Sequence, residues 1–525
     1  MNKIASVIFI FSIISTTLNS QISSPEIDKL VENALLKFNV AGTSVAIVKD
    51  DKIVHKKGYG VKSLETKLPV DENTNFGIAS NSKAFTAVAL ALLVEDGKIK
   101  WEDKVIQHIP EFKMYNDYVT QNFNIQDLLT HRSGLGLGIG DLMLFPDSSN
   151  FTIDDILSSF QYFKPSSAFR TKFDYDNLLY IVAGELIARV SGASWESFVQ
   201  ERILNPLKMD HSFSSLKGMN DKSNLSSPHS TFSGTLKTIP ESEEMINGAA
   251  GGIISNVDDL CVWMLLHLNK GKYGENLEKQ LFTEESLREM WRIHTPLTAK
   301  NEPRYNTHFS GYGLGWFLKD MNGKLCVTHT GYVAGMLSIT LMIPDINLGI
   351  IVLTNTEMGG SDVFQAVSKT ILDSYLKLPY FDWTADIYTK SQANKNDDSD
   401  KVKEVWNTVE KNKKIELKKL DYIGTYQDVW FGEIEIYEHE NQLWFKSLRS
   451  PLLTGPMAFY NEEKGKETTF AIKWKTPDLG ADAFAVFTFN KNGKVENIKM
   501  KGISEDIDFS YDFQDLLFTK TPKKD

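Results

Sequence analysis

Ser80-Asn81-Ser82-Lys83 places a hydroxyl and an amine three residues apart. On a helix those two side chains share a face and meet without help from the rest of the fold. An unaided serine is a weak nucleophile, and what it lacks is an adjacent base. A lysine in a dry site near a helix N-terminus is disfavoured as an ammonium, because the helix dipole and desolvation both oppose its charge. The pair therefore reads as a serine acyl-transfer centre, with Ser80 as nucleophile and Lys83 as base. Ser214-Ser215-Leu216-Lys217 has the same spacing, so spacing alone decides nothing. Context separates the two. Ser80 follows the polar, turn-rich Asp71–Gly77 and leads into the apolar Ala84–Val94, which stops at Asp96-Gly97 as a buried helix would. The Ser214 copy runs into Gly218-Met219-Asn220-Asp221 instead.

Acyl transfer also needs a second proton-handling group and a site for the oxyanion. Tyr175 is the candidate for the first, with Asn177 two residues on to hydrogen-bond Lys83 or a substrate amide. Of 18 tyrosines, only Tyr175 has Asn at the second position after it. Taken alone, it reads better as an ordinary aromatic at a helix start. The oxyanion needs two backbone N–H groups. One is that of Ser80, and the other is that of Tyr332 in His329-Thr330-Gly331-Tyr332, where Gly331 allows close approach. Thr330, Gly331 and Asn177 are the expected substrate contacts. His329 is expected to position the Ser80–Tyr175 network or a substrate carboxylate; alone, it reads as a satisfied strand histidine.

These groups need elements to hold them. At 525 residues the chain is long enough for two or three domains. Its 42% apolar and 24% charged content is that of globular proteins, and a net charge of −11 argues against nucleic acid as a partner. The N-terminus reads as a signal peptide over residues 1–20: basic Lys3, the apolar run Ile4–Ile14, then small and polar residues to Gln21. Export to the periplasm or beyond is expected, without a lipoprotein cysteine and without a later membrane span. Cys261 and Cys326, the only cysteines, suit buried small hydrophobes, with a single disulfide between them left open by the sequence; no metal-ligand spacing occurs, so no metal and no cofactor are expected.

In chain order, Pro25–Phe38 has helical periodicity, and Thr43–Val48 with Lys52–Gly58 reads as a hairpin. Thr120–Leu129 reads as a short helix, Leu178–Val190 as a buried one, Gly248–Gly252 as a flexible loop and Asp258–His267 as a helix. Leu325–Gly331, Leu337–Ile343 and Leu348–Asn355 alternate like antiparallel strands, before a helix at Ser361–Leu376. Strands at both ends with helices between predict one α+β domain closed by its termini, over residues 21–384. Residues 385–416 are charged and apolar-poor and read as a linker leading into a polar helix. Residues 417–525 alternate as hairpins suited to a small antiparallel β-barrel. Capping the cleft, mediating oligomerisation and acting as a spacer are all open roles for it.

Ser80-x-x-Lys83, Tyr175-x-Asn177 and His329-Thr330-Gly331, in that order, resemble the three signature elements of penicillin-recognising serine hydrolases. The second element is similar to that of class C β-lactamases and their relatives, the D-alanyl-D-alanine carboxypeptidases, esterases and D-aminopeptidases. His131-Arg132-Ser133-Gly134-Leu135, Gly251–Ser255 and Gly311–Trp316 match as well. The C-terminal stretch, with Leu420–Tyr426 near its start, resembles the lipocalin-like C-terminal domain that some of these hydrolases carry. The resemblance implies an antiparallel sheet flanked by helices beside an all-α lobe, with the site between them. It also implies an acyl-enzyme on Ser80 and a small-molecule or peptide substrate; it is silent on oligomeric state. The third element departs from the pattern, since β-lactamases and carboxypeptidases usually carry lysine where this chain has His329. A mostly neutral histidine binds a substrate carboxylate weakly. The expectation is therefore a hydrolase of esters or amides, including peptides with D-amino acids, ahead of a β-lactamase or carboxypeptidase. A non-catalytic penicillin-binding-like protein is the competing class.

Overall fold

A computed structural model describes residues 21–522, apart from 242–245, 247, 301, 477 and 478 and the side chains of 395–399. The expected signal peptide, 1–20, lies outside the described residues.

Helix α1 (Ser24–Phe38) begins at a capping box between Ser23 and Glu26 and buries Ile27, Val31, Ala34, Leu35 and Phe38. β1 (Gly42–Lys49) and β2 (Lys52–Gly60) form the expected hairpin, turning at Asp50 and Asp51, both at positive φ. The remaining strands of this sheet are β3 (Thr295–Leu297), β4 (Ser310–Tyr312), β5 (Phe317–Met321), β6 (Lys324–Val333), β7 (Met336–Ile343) and β8 (Leu348–Thr354). The order is β2-β1-β8-β7-β6-β5-β4-β3, antiparallel throughout. Val45 lies opposite Val352, so the first and last strands pair and close the domain. β7 and β8 are buried along their whole length. One face packs on α1 and α5 (Gly359–Tyr375), the other on α4 (Val257–Leu268). Burial on both faces explains why these strands read as continuous apolar runs.

Between β2 and β3 the chain builds a helical lobe around α2 (Ser82–Glu95) and α3 (Leu178–Ser191), both largely buried. Two expectations here are corrected. Thr120–Leu129 is a short helix, Asp117–Asn122, followed by a 3₁₀ segment, Ile125–Leu129, because Asn124 caps a fresh start by accepting from Asp127 N–H. Gly248–Gly251 is a buried helical turn rather than a flexible loop. The small residues let it approach α2 and α3 closely; a Cβ on Gly184 of α3 would lie 2.7 Å from the Cβ of Ala249.

The stretch expected as a linker is mostly the 30-residue helix α6 (Trp383–Asn412). Trp383, Ile387 and Tyr388 pack on the α1/α5 side of the sheet, while Val402, Val405, Trp406 and Val409 pack on the barrel. Tertiary packing at each end extends the expected polar helix back through the stretch read as a linker. Strands β9 (Gly424–Asp428), β10 (Gly432–His439), β11 (Gln442–Ser447), β12 (Thr454–Glu463), β13 (Glu467–Ile472), β14 (Ala483–Phe489), β15 (Val495–Gly502) and β16 (Leu517–Lys520) close into an eight-stranded barrel. Its interior is filled by Tyr426, Ile434, Phe445, Phe470, Phe487, Ile498 and Phe518, each at most 2% exposed, as a barrel of this size permits. Trp430 and Phe431 join the core of the helical lobe at Phe163 and Phe151, and Arg449 pairs with Asp155 at 2.7 Å. Cys261 and Cys326 are free and buried. Among the described residues, no single helix is long and apolar enough to cross a membrane.

Candidate active site

Ser80 lies in a 3₁₀ turn, Ala79–Asn81, that runs directly into α2. The turn is wedged against the second half of β6. There β5 has already ended, its last pair being Phe317 with Thr328, so β6 presents an open edge. Asn81 Nδ2 donates to Ser338 Oγ (2.8 Å) and Asn81 Oδ1 accepts from Thr340 Oγ1 (2.6 Å), which ties the turn to β7. Gly331 is required here, because a Cβ would lie 2.1 Å from the carbonyl oxygen of Ile78. Ala79, immediately before Ser80, is held at φ 48°. A left-handed alanine is a strained conformation that survives only where the surroundings impose it.

Lys83 is completely buried. Its Nζ is 3.0 Å from Ser80 Oγ, 2.7 Å from Asn177 Oδ1 and 2.8 Å from the carbonyl oxygen of Ala250. Asn177 Oδ1 and Ala250 O can only accept. A neutral amine has two hydrogens for these two oxygens and one lone pair left, and that lone pair faces the one partner able to donate, the Ser80 hydroxyl. Burial lowers Lys83 from the usual lysine range to about 7, opposed by Asp141 and Asp176. The rings of Tyr175 and Tyr180 flank the amine at 4.8 and 5.2 Å.

Tyr175 and Asn177 arrive just ahead of α3. Burial raises the Tyr175 phenol well above its ordinary value, and the Ser80 hydroxyl offsets part of the rise. His329 is 1% exposed; its Nδ1 meets the Thr330 carbonyl oxygen at 2.6 Å and its Nε2 meets Tyr312 Oη at 3.0 Å. A carbonyl only accepts, so Nδ1 carries the proton and Nε2 accepts from Tyr312. Burial, assisted by Lys83, lowers His329 to about 3. It is a neutral wall rather than a cation. Thr330 and Tyr332 are exposed on β6 and line the cavity with Ser80. All the residues singled out from the sequence, Ser80, Lys83, Tyr175, Asn177, His329, Thr330, Gly331 and Tyr332, thus converge on one end of the cleft.

Several further participants received no role from the sequence, although His131 opens one of the matching stretches. His131, at φ 51°, lies tilted against Tyr175 with ring centroids 4.2 Å apart, and its Nδ1 accepts from Asp176 N–H (3.1 Å). Asp141 is wholly buried; its Oδ2 accepts from Asn177 Nδ2 (2.8 Å) and from Ser510 Oγ (2.9 Å), and its Oδ1 has no hydrogen-bond partner among the described residues. Burial pushes Asp141 well above the carboxylate range and Asp176 up to about 7. No motif marks Asp141. Its one local signal is its place at the end of the Gly-rich Gly134–Gly140 run.

The cavity over Ser80 has a volume of about 600 Å³. Its walls include apolar Phe145, Phe173 and Phe317 and the barrel residues Leu452, Leu479, Phe509 and Tyr511. Four carboxylates, Asp147, Glu241, Glu357 and Asp508, line it, and no lysine or arginine does among the described residues. An adjoining cavity of about 510 Å³ shares Ser148, Glu241, Gly251, Val333 and Ala334 with it but does not reach Ser80. Among the described residues, no group of three or more His, Cys, Asp or Glu side chains is arranged to hold a metal ion.

The chain is similar to known proteins over most of its length. The family described as "Beta-lactamase" matches residues 27–368, and "Domain of unknown function (DUF3471)" matches residues 410–520. "Protein flp" of Staphylococcus aureus (strain N315) is 29% identical over 338 residues, covering 63% of each chain. "Unguisins hydrolase ungD'" of Aspergillus campestris (strain IBT 28561) is 27% identical over 371 residues, 68% of this chain and 66% of that one. The chain thus spans about 63% of the length of the staphylococcal relatives it matches. The octameric penicillin-binding protein homologue from Pyrococcus abyssi aligns with a TM-score of 0.59 at 20% identity, over 95% of this chain and 100% of its own. The penicillin binding protein from Bacillus halodurans aligns at 0.54 and 22%, over 65% of this chain and 99% of its own. At these identities the likeness speaks for the fold.

Proposed function

On the premise that the chain belongs to the beta-lactamase family, whose match spans residues 27–368, we propose that it is an exported serine hydrolase that opens an ester or amide through an acyl-enzyme on Ser80. One observation carries the reading: the amine of the wholly buried Lys83, held down to about 7 by its burial, lies 3.0 Å from the Ser80 hydroxyl. Ser80 Oγ attacks the substrate carbonyl as its proton passes to Lys83 Nζ. The N–H groups of Ser80 and Tyr332 hold the oxyanion. Collapse expels an alcohol or amine, protonated from the Lys83–Tyr175 pair, and the same pair deprotonates the water that releases the acid. Export follows from Lys3 and the apolar run behind it.

The lining of the cavity supports a substrate class. A penicillin or a C-terminal peptide brings a carboxylate, for which a neutral His329 and four lining carboxylates are poor company. Substrates that are neutral or carry an ammonium near the scissile bond, such as esters and peptides with a free amino end, suit it better. The test is a panel of p-nitrophenyl esters, aminoacyl p-nitroanilides of both configurations and nitrocefin, with wild type and Ser80→Ala compared. Turnover of an ester or anilide that vanishes in Ser80→Ala is expected. Equal turnover by the variant would remove Ser80 from the mechanism, and labelling of Ser80 by a fluorophosphonate without any turnover would favour a binding protein.

A further inference from the structure

We infer that the C-terminal barrel is a structural part of the catalytic centre, with Ser510 a positioning residue for Lys83 and Phe509 a determinant of acyl-group size. The inference rests on Ser80 being the nucleophile and gives the barrel a task. The segment between β15 and β16 leaves the barrel and enters the cleft. Asp512, fully buried, accepts from Gly140 N–H (2.7 Å) and Leu142 N–H (2.9 Å), and so clamps both sides of Asp141. Gly138 is backed by the same segment; a Cβ there would lie 2.6 Å from the Phe509 carbonyl oxygen. Ser510, 7% exposed, donates to Asp141 Oδ2. From Asp141 the chain of bonds runs through Asn177 to Lys83 and ends at Ser80. A barrel hydroxyl is thus four hydrogen bonds from the nucleophile, and every intermediate member is buried. The Phe509 ring meets Tyr175 edge-on at 5.8 Å and forms part of the cavity wall beside it.

The bonds set a direction. Ser510 stabilises the ionised form of Asp141, and the charge of Asp141 favours the ammonium form of Lys83. Asp176, His131 and His329 face the same amine, and Asp512 faces Asp141. They are unchanged by a substitution at 510. Losing the Ser510 bond leaves Asp141 more often protonated, so Lys83 gives up its proton at lower pH.

The experiment measures kcat, KM and the pH profile of ester hydrolysis in the full chain for wild type, Ser510→Ala, Ser510→Thr, Phe509→Ala and Ser80→Ala. Ser510→Ala is expected to lower kcat about 10-fold, the scale of a slightly misplaced catalytic group. KM should hold and the acid limb should move to lower pH, with both effects reversed in Ser510→Thr. Phe509→Ala is expected to raise the ratio of kcat/KM for a branched acyl ester to that for an acetyl ester. Folding of each variant is read by thermal unfolding. If Ser510→Ala fails to fold, the acyl-size ratio of Phe509→Ala decides. A folded Ser510→Ala with wild-type kcat and pH profile overturns the positioning role, and an unchanged ratio in Phe509→Ala overturns the selective one. Either result alongside an inactive Ser80→Ala leaves the nucleophile assignment standing; an active Ser80→Ala removes that assignment instead.

Discussion

Around Ser80 the buried interior is crowded with titratable side chains: Lys83, His131, Asp141, Asp176 and His329. The barrel interior holds aromatic and aliphatic ones. Its buried Asp428 accepts from three backbone N–H groups, of Trp430, Phe431 and Leu517, at 2.9 Å each, and pins the turn between β9 and β10. Asp141, equally buried, keeps an unpartnered oxygen among the described residues, and its two bonds lead to the nucleophile's base and to the barrel. A buried carboxylate that is fully satisfied marks structure, and one left short marks a site where charge is meant to be uncertain. The same low dielectric thus stiffens one domain and tunes proton affinity in the other.

The contrast breaks most sharply at Lys83. Lys83→Met is expected to lower kcat/KM by about 1,000- to 10,000-fold, as loss of a general base does, with little loss of stability. In wild type kcat/KM should fall as pH drops through about 7, where Lys83 takes up a proton and loses its lone pair; steady-state kinetics across pH checks both. The converse belongs to the barrel. Phe445→Ala should cost about 3–5 kcal/mol in urea unfolding while kcat of the folded fraction holds. The two aspartates give a smaller, paired test. Asp428→Ala should destabilise by about 1–3 kcal/mol by orphaning its N–H donors and leave kcat alone, whereas Asp141→Asn should change kcat and the pH profile more than it changes Tm. Smallest is the effect of substrate charge. An ester with an ammonium in its acyl group should be favoured over its carboxylate counterpart by about 10-fold at low salt, and less as salt screens the lining carboxylates.

Much of this site was legible before any coordinates. Ser80, Lys83, Tyr175, Asn177 and the His329–Tyr332 segment each sit where a helix start or a strand edge carries them, and local pattern marks both kinds of element. The closed barrel followed from alternation in the same way. What was not legible depends on distant parts of the chain. Asp141 is joined to Ser510 across 369 residues; a Gly-rich run precedes Asp141, but no local pattern links it to Ser510. His329 was open to two roles, positioning the Ser80–Tyr175 network or a substrate carboxylate; its burial and its bond to Tyr312, which favour a neutral ring, depend on strands that local pattern does not bring together. The sequence predicts a polar helix after the charged linker stretch; that the helix runs through the stretch itself depends on packing at both ends, which composition does not record.

The central claim is the acyl bond on Ser80, and trapping it is the direct measurement. Wild type mixed with a good ester substrate and quenched in acid within milliseconds should show one added acyl mass, on the peptide containing Ser80. Ser80→Ala should show none, and Lys83→Met should show slower accumulation. Undiminished ester turnover by Ser80→Ala, or an acyl group on another residue, would contradict the account.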